Sequence, residues 1–157
     1  MGQITKMGEE HLQELWQLEQ ECFSMPWSKE ALRQELENPL AHYFVYVENG
    51  HAAGYIGLHI ILDEGHITNI AVAKNMRRQG VGHRLMAAVL EEAKQKKLSF
   101  LELELRPSNL AAMHLYQKVG FVLVGRRPGY YEQPTEDALL MTLFLTENQV
   151  ESETIEQ

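Results

Sequence analysis

The chain has 157 residues, a formal net charge of −8 and one cysteine, so it is long enough to bury about 70% of its unfolded surface in one core without disulfides or metals. The charge excludes a general nucleic-acid binder, because such proteins draw affinity from many phosphate contacts. Cys22 cannot bridge internally and no apolar run approaches membrane-spanning length, which predicts a reducing, cytoplasmic setting with no membrane attachment. The opening "MGQITK" misses a myristoylation signal at Lys6, where serine or threonine is required.

In chain order, a short strand is expected at 4–7. "EEHLQELWQLEQECF" then places Leu12, Leu15, Trp16 and Leu18 on one helical face. The pattern breaks at Pro26, and a second helix restarts with Ser28 as N-cap and Glu30 in its first turn. "HYFVYVENGHAAGYIGLHIIL" reads as two strands joined at Asn49-Gly50, a strong hairpin signal. A turn at Asp63-Glu64-Gly65 leads to "HITNIAV", a third strand, so a meander is predicted. From Val81 to Lys97 the apolar residues recur at three and four, giving a long helix with a basic last turn.

"LELELRPSN" follows at 101–109. Its alternation is that of a half-buried strand, and alternation alone leaves open whether a carboxylate of the polar row has work to do. A helix from Ser108 or Asn109 to about Val119, a strand at 121–125, a polar loop through "RRPGYYEQPTED" and a last strand at 138–145 complete the pattern. Residues 1–146 are thus expected to form one α/β domain in the order β-α-α-β-β-β-α-β-α-β-β, and 147–157 an acidic, disordered tail.

Charge is unevenly spread. Between Lys74 and Lys97 seven basic residues face two acidic ones, a local +5, whereas residues 1–37 carry eight glutamates against Lys6, Lys29 and Arg33, or −5. An anion held mid-chain and a cationic partner drawn to the N-terminal third would explain this, and so would solvated helix faces of differing sign. "NMRRQGVGHRLM" lies between a strand and the long helix. Gly80 and Gly82 clear side chains from the turn, and the first N–H groups of the helix are then open to a phosphate, with Arg77, Arg78 and Arg84 nearby. No Gly-Lys-Ser/Thr of a P-loop is present, and a dinucleotide Gly-x-Gly-x-x-Gly fails at Leu85. Taken alone, the turn fits a tight backbone bend equally well. The seven histidines show no metal-ligand spacing.

Arg77-x-x-Gly80-x-Gly82, set between strand and helix, resembles the cofactor signature of the GNAT superfamily of N-acetyltransferases. The likeness extends over about residues 4–146. "PWS" at 26–28, "TNIAV" at 68–72, "LELRPSNLAAMHLYQKVGF" at 103–121, and "RPGYY" with "EDALLM" at 127–141 make it close to the RimI branch, which acetylates the N-terminal alanine of a small-subunit ribosomal protein.

The resemblance implies a mixed, mostly antiparallel sheet with splayed central strands, helices on both faces, and acetyl-CoA as cosubstrate without a metal. It implies cofactor contacts from Ile70, Ala71 and Val72, from Arg77, Arg78, Gln79, Gly80, Val81, Gly82 and His83, and from Asn109. His83 stands where relatives often have arginine. Glu104 becomes the general base, through a water, and either partial burial raises its proton affinity or a water relay shares the task. Tyr116 becomes the acid, since seven residues after Asn109 it returns to nearly the same helical face, and its ordinary phenol suits a leaving thiolate. Ile70 to Val72 are expected to polarise the thioester carbonyl.

Trp27, Tyr130 and Tyr131, placed in loops, are expected to bind the acceptor, a protein N-terminus. Glu102 reads as a solvated or salt-bridged strand residue, and Arg106 either orients Glu104 or closes the strand. Acetylation of a small amine or internal lysine, and a non-catalytic acyl-CoA-binding module, are the competing functions. A monomer or weak homodimer without direct nucleic-acid contact is expected.

Overall fold

The computed structural model describes residues 2–145; position 146 and the acidic tail expected at 147–157 lie outside the described residues. The N-terminal strand is β1, Gln3–Lys6, and a 3-10 turn at Glu9–His11 leads into α1, Leu12–Cys22. Leu12, Leu15 and Leu18 of α1 are buried, as their spacing requires. Ser28 caps α2, Lys29–Glu37, its Oγ accepting from the Ala31 N–H at 3.0 Å.

The meander follows as β2, Ala41–Glu48, β3, His51–Ile61, and β4, Glu64–Val72. Asn49 and Gly50 both take positive φ, 53° and 78°. This left-handed pair matches strand twist and fixes Glu48 opposite His51. The turn after β3 comes earlier than expected, at Leu62 and Asp63, because Glu64 and Gly65 already pair with β5. Helix α3, Val81–Gln95, precedes β5, Phe100–Leu105; α4, Leu110–Val119, precedes β6, Val122–Tyr131, and β7, Glu136–Phe144.

The strand order is β1-β2-β3-β4-β5-β7-β6 in one sheet, the mixed α/β architecture expected. The β4–β5 pair is parallel; β1–β2, β2–β3, β5–β7 and β6–β7 are antiparallel. The parallel ladder covers only Glu64↔Phe100, Gly65↔Leu101 and His66↔Glu102. Both strands run on past it, β4 to Val72 and β5 to Leu105.

The described residues pack as two compact units, one comprising those up to Ile60 with Ile67–Glu92, the other Ile61–His66 with those from Ala93 to Leu145. In the first, Leu12, Leu15, Leu18, Leu32, Tyr43, Val45, Tyr55 and Ala71 form a continuous buried cluster. A Cβ on Gly54 would stand 3.1 Å from the Ala71 carbonyl oxygen, so glycine is what lets β3 lie this close to β4. In the second, Leu101, Leu103 and Leu105 turn inward while Glu102 faces solvent and Glu104 is half-buried. Leu103 pairs with Met141 and Glu104 with Leu140.

One expectation fails in the second unit. "RRPGYY" belongs to β6, not to a loop, so Tyr130 and Tyr131 end a strand. The register shift between Arg127 and Tyr131 absorbs Pro128 and Gly129, which is how a strand tolerates residues that read as turn formers, and a second shift between Leu123 and Gly125 leaves Val124 without a register partner. Among the described residues, no helix is long and apolar enough to cross a membrane.

Candidate active site

In the first unit, β4 passes through a 3-10 turn, Lys74–Met76, to the glycine-containing segment. Arg78 and Gly80 have φ of 65° and 81°. The left-handed geometry at Gly80 is the one glycine adopts without strain, and a Cβ there would meet nothing within 4 Å, so the turn opens outward. The Arg84 N–H donates to the Gly80 carbonyl at 3.1 Å as the helix begins. The N–H groups of Val81, Gly82 and His83 come before that bond, at the positive end of α3. Val81 is buried by its side chain, and His83 is exposed.

Two of the three arginines near this turn are held elsewhere. Arg77 donates from Nε to the Val72 carbonyl at 3.1 Å and from Nη2 to Cys22 Sγ at 3.4 Å. Arg84 donates to the Gly2 carbonyl at 2.9 Å and lies 5.1 Å over the Tyr46 ring. Arg78 remains for an anion, and Gln79 spends its side-chain amide on the Asn75 carbonyl at 3.2 Å. Ile70 also departs from expectation. Its N–H donates to Asn69 Oδ1 at 3.1 Å, which removes it as a donor to a carbonyl. The Ala73 N–H bonds to Ala53 of β3, so by strand alternation the Val72 N–H points away from β3 and is the better donor.

In the second unit, Glu104 meets a histidine. Both of its carboxylate oxygens lie against His66 Nε2, at 3.1 and 3.0 Å. Because His66 sits opposite Glu102 in the parallel register, His66 and Glu104 share one face of the sheet. The hydrogen bond to His66 lowers the Glu104 pKa against the opposing effect of burial, with Arg127 helping. Conversely, the bond to Glu104 raises His66 above 6.5, outweighing its own burial. Of the two routes expected for Glu104, a raised proton affinity is therefore reversed, and within this pair His66 is the group whose proton affinity is raised.

The tyrosines complete this cluster. Tyr130 and Tyr131 meet edge to face at 5.0 Å, and the Tyr130 hydroxyl makes a long contact of 3.5 Å with Glu104 Oε1. Burial and then the Glu104 charge push Tyr131 up to about 12. Tyr116 is buried, its ring 5.3 Å from Phe121, and burial followed by Tyr131 raises its pKa well beyond the ordinary phenol range. It is thus a more reluctant acid than an exposed tyrosine, fully protonated at neutral pH. Asn109 is the N-cap of α4, with ψ of 75°, and its Oδ1 accepts from Ala112 at 3.2 Å. It lies outside the helical repeat, so its shared face with Tyr116 does not follow from periodicity.

Arg106 closes the β6–β7 turn. It donates to Glu132 and Pro134 carbonyls at 2.6 and 2.8 Å and to Glu136 at 3.0 Å, and stacks 4.5 Å over Tyr131. Trp27, half-buried, packs against the core of the first unit. Its backbone N–H donates to Glu19 at 2.8 Å. Among the described residues, no group of three His, Cys, Asp or Glu is arranged to hold a metal. Sequence reasoning missed His66. The signal was its place at the start of "HITNIAV", but its partner becomes visible only once β4 and β5 are in register.

Residues 12–121 match the Acetyltransferase (GNAT) family, and the chain belongs to that family of acetyltransferases. Its relatives point to one branch. A Bacillus subtilis (strain 168) protein, whose name provisionally assigns it ribosomal protein bS18-alanine N-acetyltransferase activity, is 39% identical over 92% of this chain and 96% of its own. The Escherichia coli (strain K12) enzyme of that name is 32% identical over 91% of this chain and 97% of its own. The crystal structure of the Escherichia coli ribosomal-protein-S18-alanine N-acetyltransferase superposes with a TM-score of 0.86, at 31% identity over 92% of this chain and 94% of that one. A GNAT family acetyltransferase of Elizabethkingia anophelis with acetyl-CoA bound shares the fold, with a TM-score of 0.76 at 24% identity over 92% of this chain and 98% of that one.

Proposed function

We propose that the chain moves the acetyl group of acetyl-CoA directly to the N-terminal α-amine of a protein in the cytoplasm, the N-terminal alanine of a small-subunit ribosomal protein being its acceptor. The names of the Bacillus subtilis and Escherichia coli relatives support the acceptor, and the acetyl-CoA held by the Elizabethkingia anophelis neighbour supports the donor. The observation that carries the chemistry is the Glu104–His66 pair, set where the β4–β5 ladder ends and beside Tyr130 and Tyr131.

Acetyl-CoA supplies an acetyl group activated as a thioester. In the first unit, the N–H groups of Val81, Gly82 and His83 and the Arg78 guanidinium suit its pyrophosphate, and the open, left-handed turn at Gly80 leaves room for it. The Val72 N–H is the donor suited to the carbonyl oxygen.

In the second unit, the carboxylate of Glu104 takes a proton from the attacking amine and, with His66 neutral and carrying its hydrogen on Nδ1, passes it to the vacant Nε2. The N–C bond forms, the C–S bond breaks, and the Tyr116 hydroxyl gives its proton to the departing sulfur; solvent returns a proton to Tyr116 and takes one from His66. An α-amine, pKa about 8, asks far less of this base than a lysine near 10.4, which fits an N-terminal acceptor.

The test is a panel: a peptide beginning with alanine, the same peptide with a blocked N-terminus and an internal lysine, and spermidine. Fastest turnover of the free alanine N-terminus is expected, and preference for either of the others would overturn the acceptor.

A further inference from the structure

Glu19 is fully buried, yet the chemistry above makes no use of it. It projects from α1 into a closed set of hydrogen bonds within the first unit. Oε1 accepts from the backbone N–H of Trp27 at 2.8 Å. Oε2 accepts from the Tyr55 hydroxyl and from Asn69 Nδ2, the latter at 2.9 Å. Asn69 Nδ2 also donates to the Tyr55 oxygen at 3.0 Å, while Asn69 Oδ1 accepts the Ile70 N–H at 3.1 Å. One side chain thus holds the segment before α2 with one oxygen and the middle of β4 with the other.

We propose that Glu19 is a positioning residue for acetyl transfer, fixing through Trp27 the segment that receives the acceptor and through Asn69 the backbone of β4 at Ile70. The inference rests on the acceptor role given to Trp27. Its force comes from the direction of the hydrogen bonds. A main-chain N–H can only donate, so the Ile70 N–H compels Asn69 to present its oxygen there and its nitrogen to Glu19. The Trp27 N–H is equally bound to donate. Glu19 therefore meets donors at both oxygens, which an ionised carboxylate satisfies and an amide of the same shape cannot.

A glutamine at this position must aim its NH2 group one way or the other. Toward Asn69 and Tyr55 it would oppose the Asn69 nitrogen, which the Ile70 N–H prevents from turning over, and would deprive the Tyr55 proton of its acceptor. Toward Trp27 it opposes one N–H alone. The second arrangement leaves fewer groups unpaired, so Glu19→Gln releases the Trp27 segment and keeps β4 in place. Asn69→Ala does the reverse, freeing the Ile70 N–H while Glu19 still holds Trp27.

Two measurements on the full chain test this. Residue-resolved amide hydrogen exchange should show the Trp27 amide of Glu19→Gln exchanging at least about tenfold faster than in the wild type, with Ile70 unchanged, and the opposite pattern in Asn69→Ala. Steady-state kinetics with an alanine-initiated peptide should show the peptide KM of Glu19→Gln raised about tenfold and the acetyl-CoA KM within about twofold, the loss of one charge-assisted hydrogen bond on the acceptor side alone. Unchanged Trp27 exchange in folded Glu19→Gln, or equal rises in both KM values, overturns the proposal. Should Glu19→Gln fail to fold, Asn69→Ala decides: joint loss of protection at Trp27 and Ile70, or loss at neither, overturns it. Exchange needs no substrate, so a chain that acetylates no peptide refutes the acceptor reading while the exchange pattern still judges Glu19.

Discussion

Replacing His66 by glutamine keeps a side chain able to reach Glu104 but removes the group that titrates. The consequence can be worked from the proton affinities. An attacking α-amine has a pKa of about 8, so at the ordinary carboxylate value of about 4.3 proton transfer that ends on Glu104 is uphill by about 5 kcal/mol. At the ordinary imidazole value of about 6.5, transfer that ends on His66 is uphill by about 2 kcal/mol. The advantage of passing the proton on to His66 is therefore about 3 kcal/mol, or about 10² in rate. The assay is coenzyme A thiol release with an alanine-initiated peptide, followed from pH 6 to 9.5. His66→Gln should lose about 10² in kcat/KM at pH 7, and the acid limb that the wild type shows above pH 6.5 should flatten to the titration of the peptide amine alone. A His66→Gln enzyme within about threefold of the wild type at pH 7, with an unaltered acid limb, would refute the relay and return the proton to Glu104 and water.

The remaining expectations concern neighbouring groups. Glu104→Gln should slow turnover by about 10² with the acetyl-CoA KM nearly unchanged, and wild-type turnover would remove Glu104 from the chemistry. Tyr116→Phe deletes a buried hydroxyl whose raised pKa keeps it protonated, so kcat should fall by about 10² and stay level from pH 7 to 9; loss of the fold or no loss of rate would count against its role as acid. Gly80→Ala forces a side chain into the left-handed region, costing about 1–2 kcal/mol, and should raise the acetyl-CoA KM about tenfold without altering peptide specificity, as substrate titrations would show. The two shifts of the His66–Glu104 pair report one interaction. The raised histidine stabilises the fold below pH 6.5 and loses that contribution as pH rises through its folded pKa; the lowered carboxylate contributes above pH 4.5 and loses that contribution as pH falls through its own. Both groups are partly exposed, so urea unfolding should place the wild type only about 1 kcal/mol above His66→Gln near pH 5.5, with the gap shrinking by pH 9; a gap that widened with pH would contradict the assignment.

What the sequence made legible is what short-range chemistry decides. Asn49-Gly50 required a tight hairpin, Ser28 required a helix start, and the leucines of "LELEL" required one buried face, and each stands where these rules put it. The glycine turn before α3 was legible for the same reason, since positive φ and the free N–H groups of a helix start are local properties. The illegible features depend on which strands meet. Pro128 and Gly129 read as loop residues because nothing in their own neighbourhood announces that β6, paired with β7, will carry them as a bulge. Arg106 could not be assigned without the β6–β7 turn whose carbonyls it binds. His66 and Glu104 are 38 positions apart, and only the β4–β5 register turns a strand histidine into the partner that reverses a carboxylate's proton affinity. Asn109 is illegible for another reason: it caps the helix and does not share its repeat, so the helical period does not fix its direction.

Delivery of the acetyl group to an N-terminal alanine is the step on which the proposed function turns. Mass spectrometry of ribosomal protein N-termini, from cells with this chain and from cells lacking it, tests that most directly. One small-subunit protein should carry an acetylated N-terminal alanine in the first cells and a free one in the second, with restoration by the wild-type chain but not by Glu104→Gln. An unchanged set of N-termini, accompanied by loss of acetylation at internal lysines or on small amines, would contradict it.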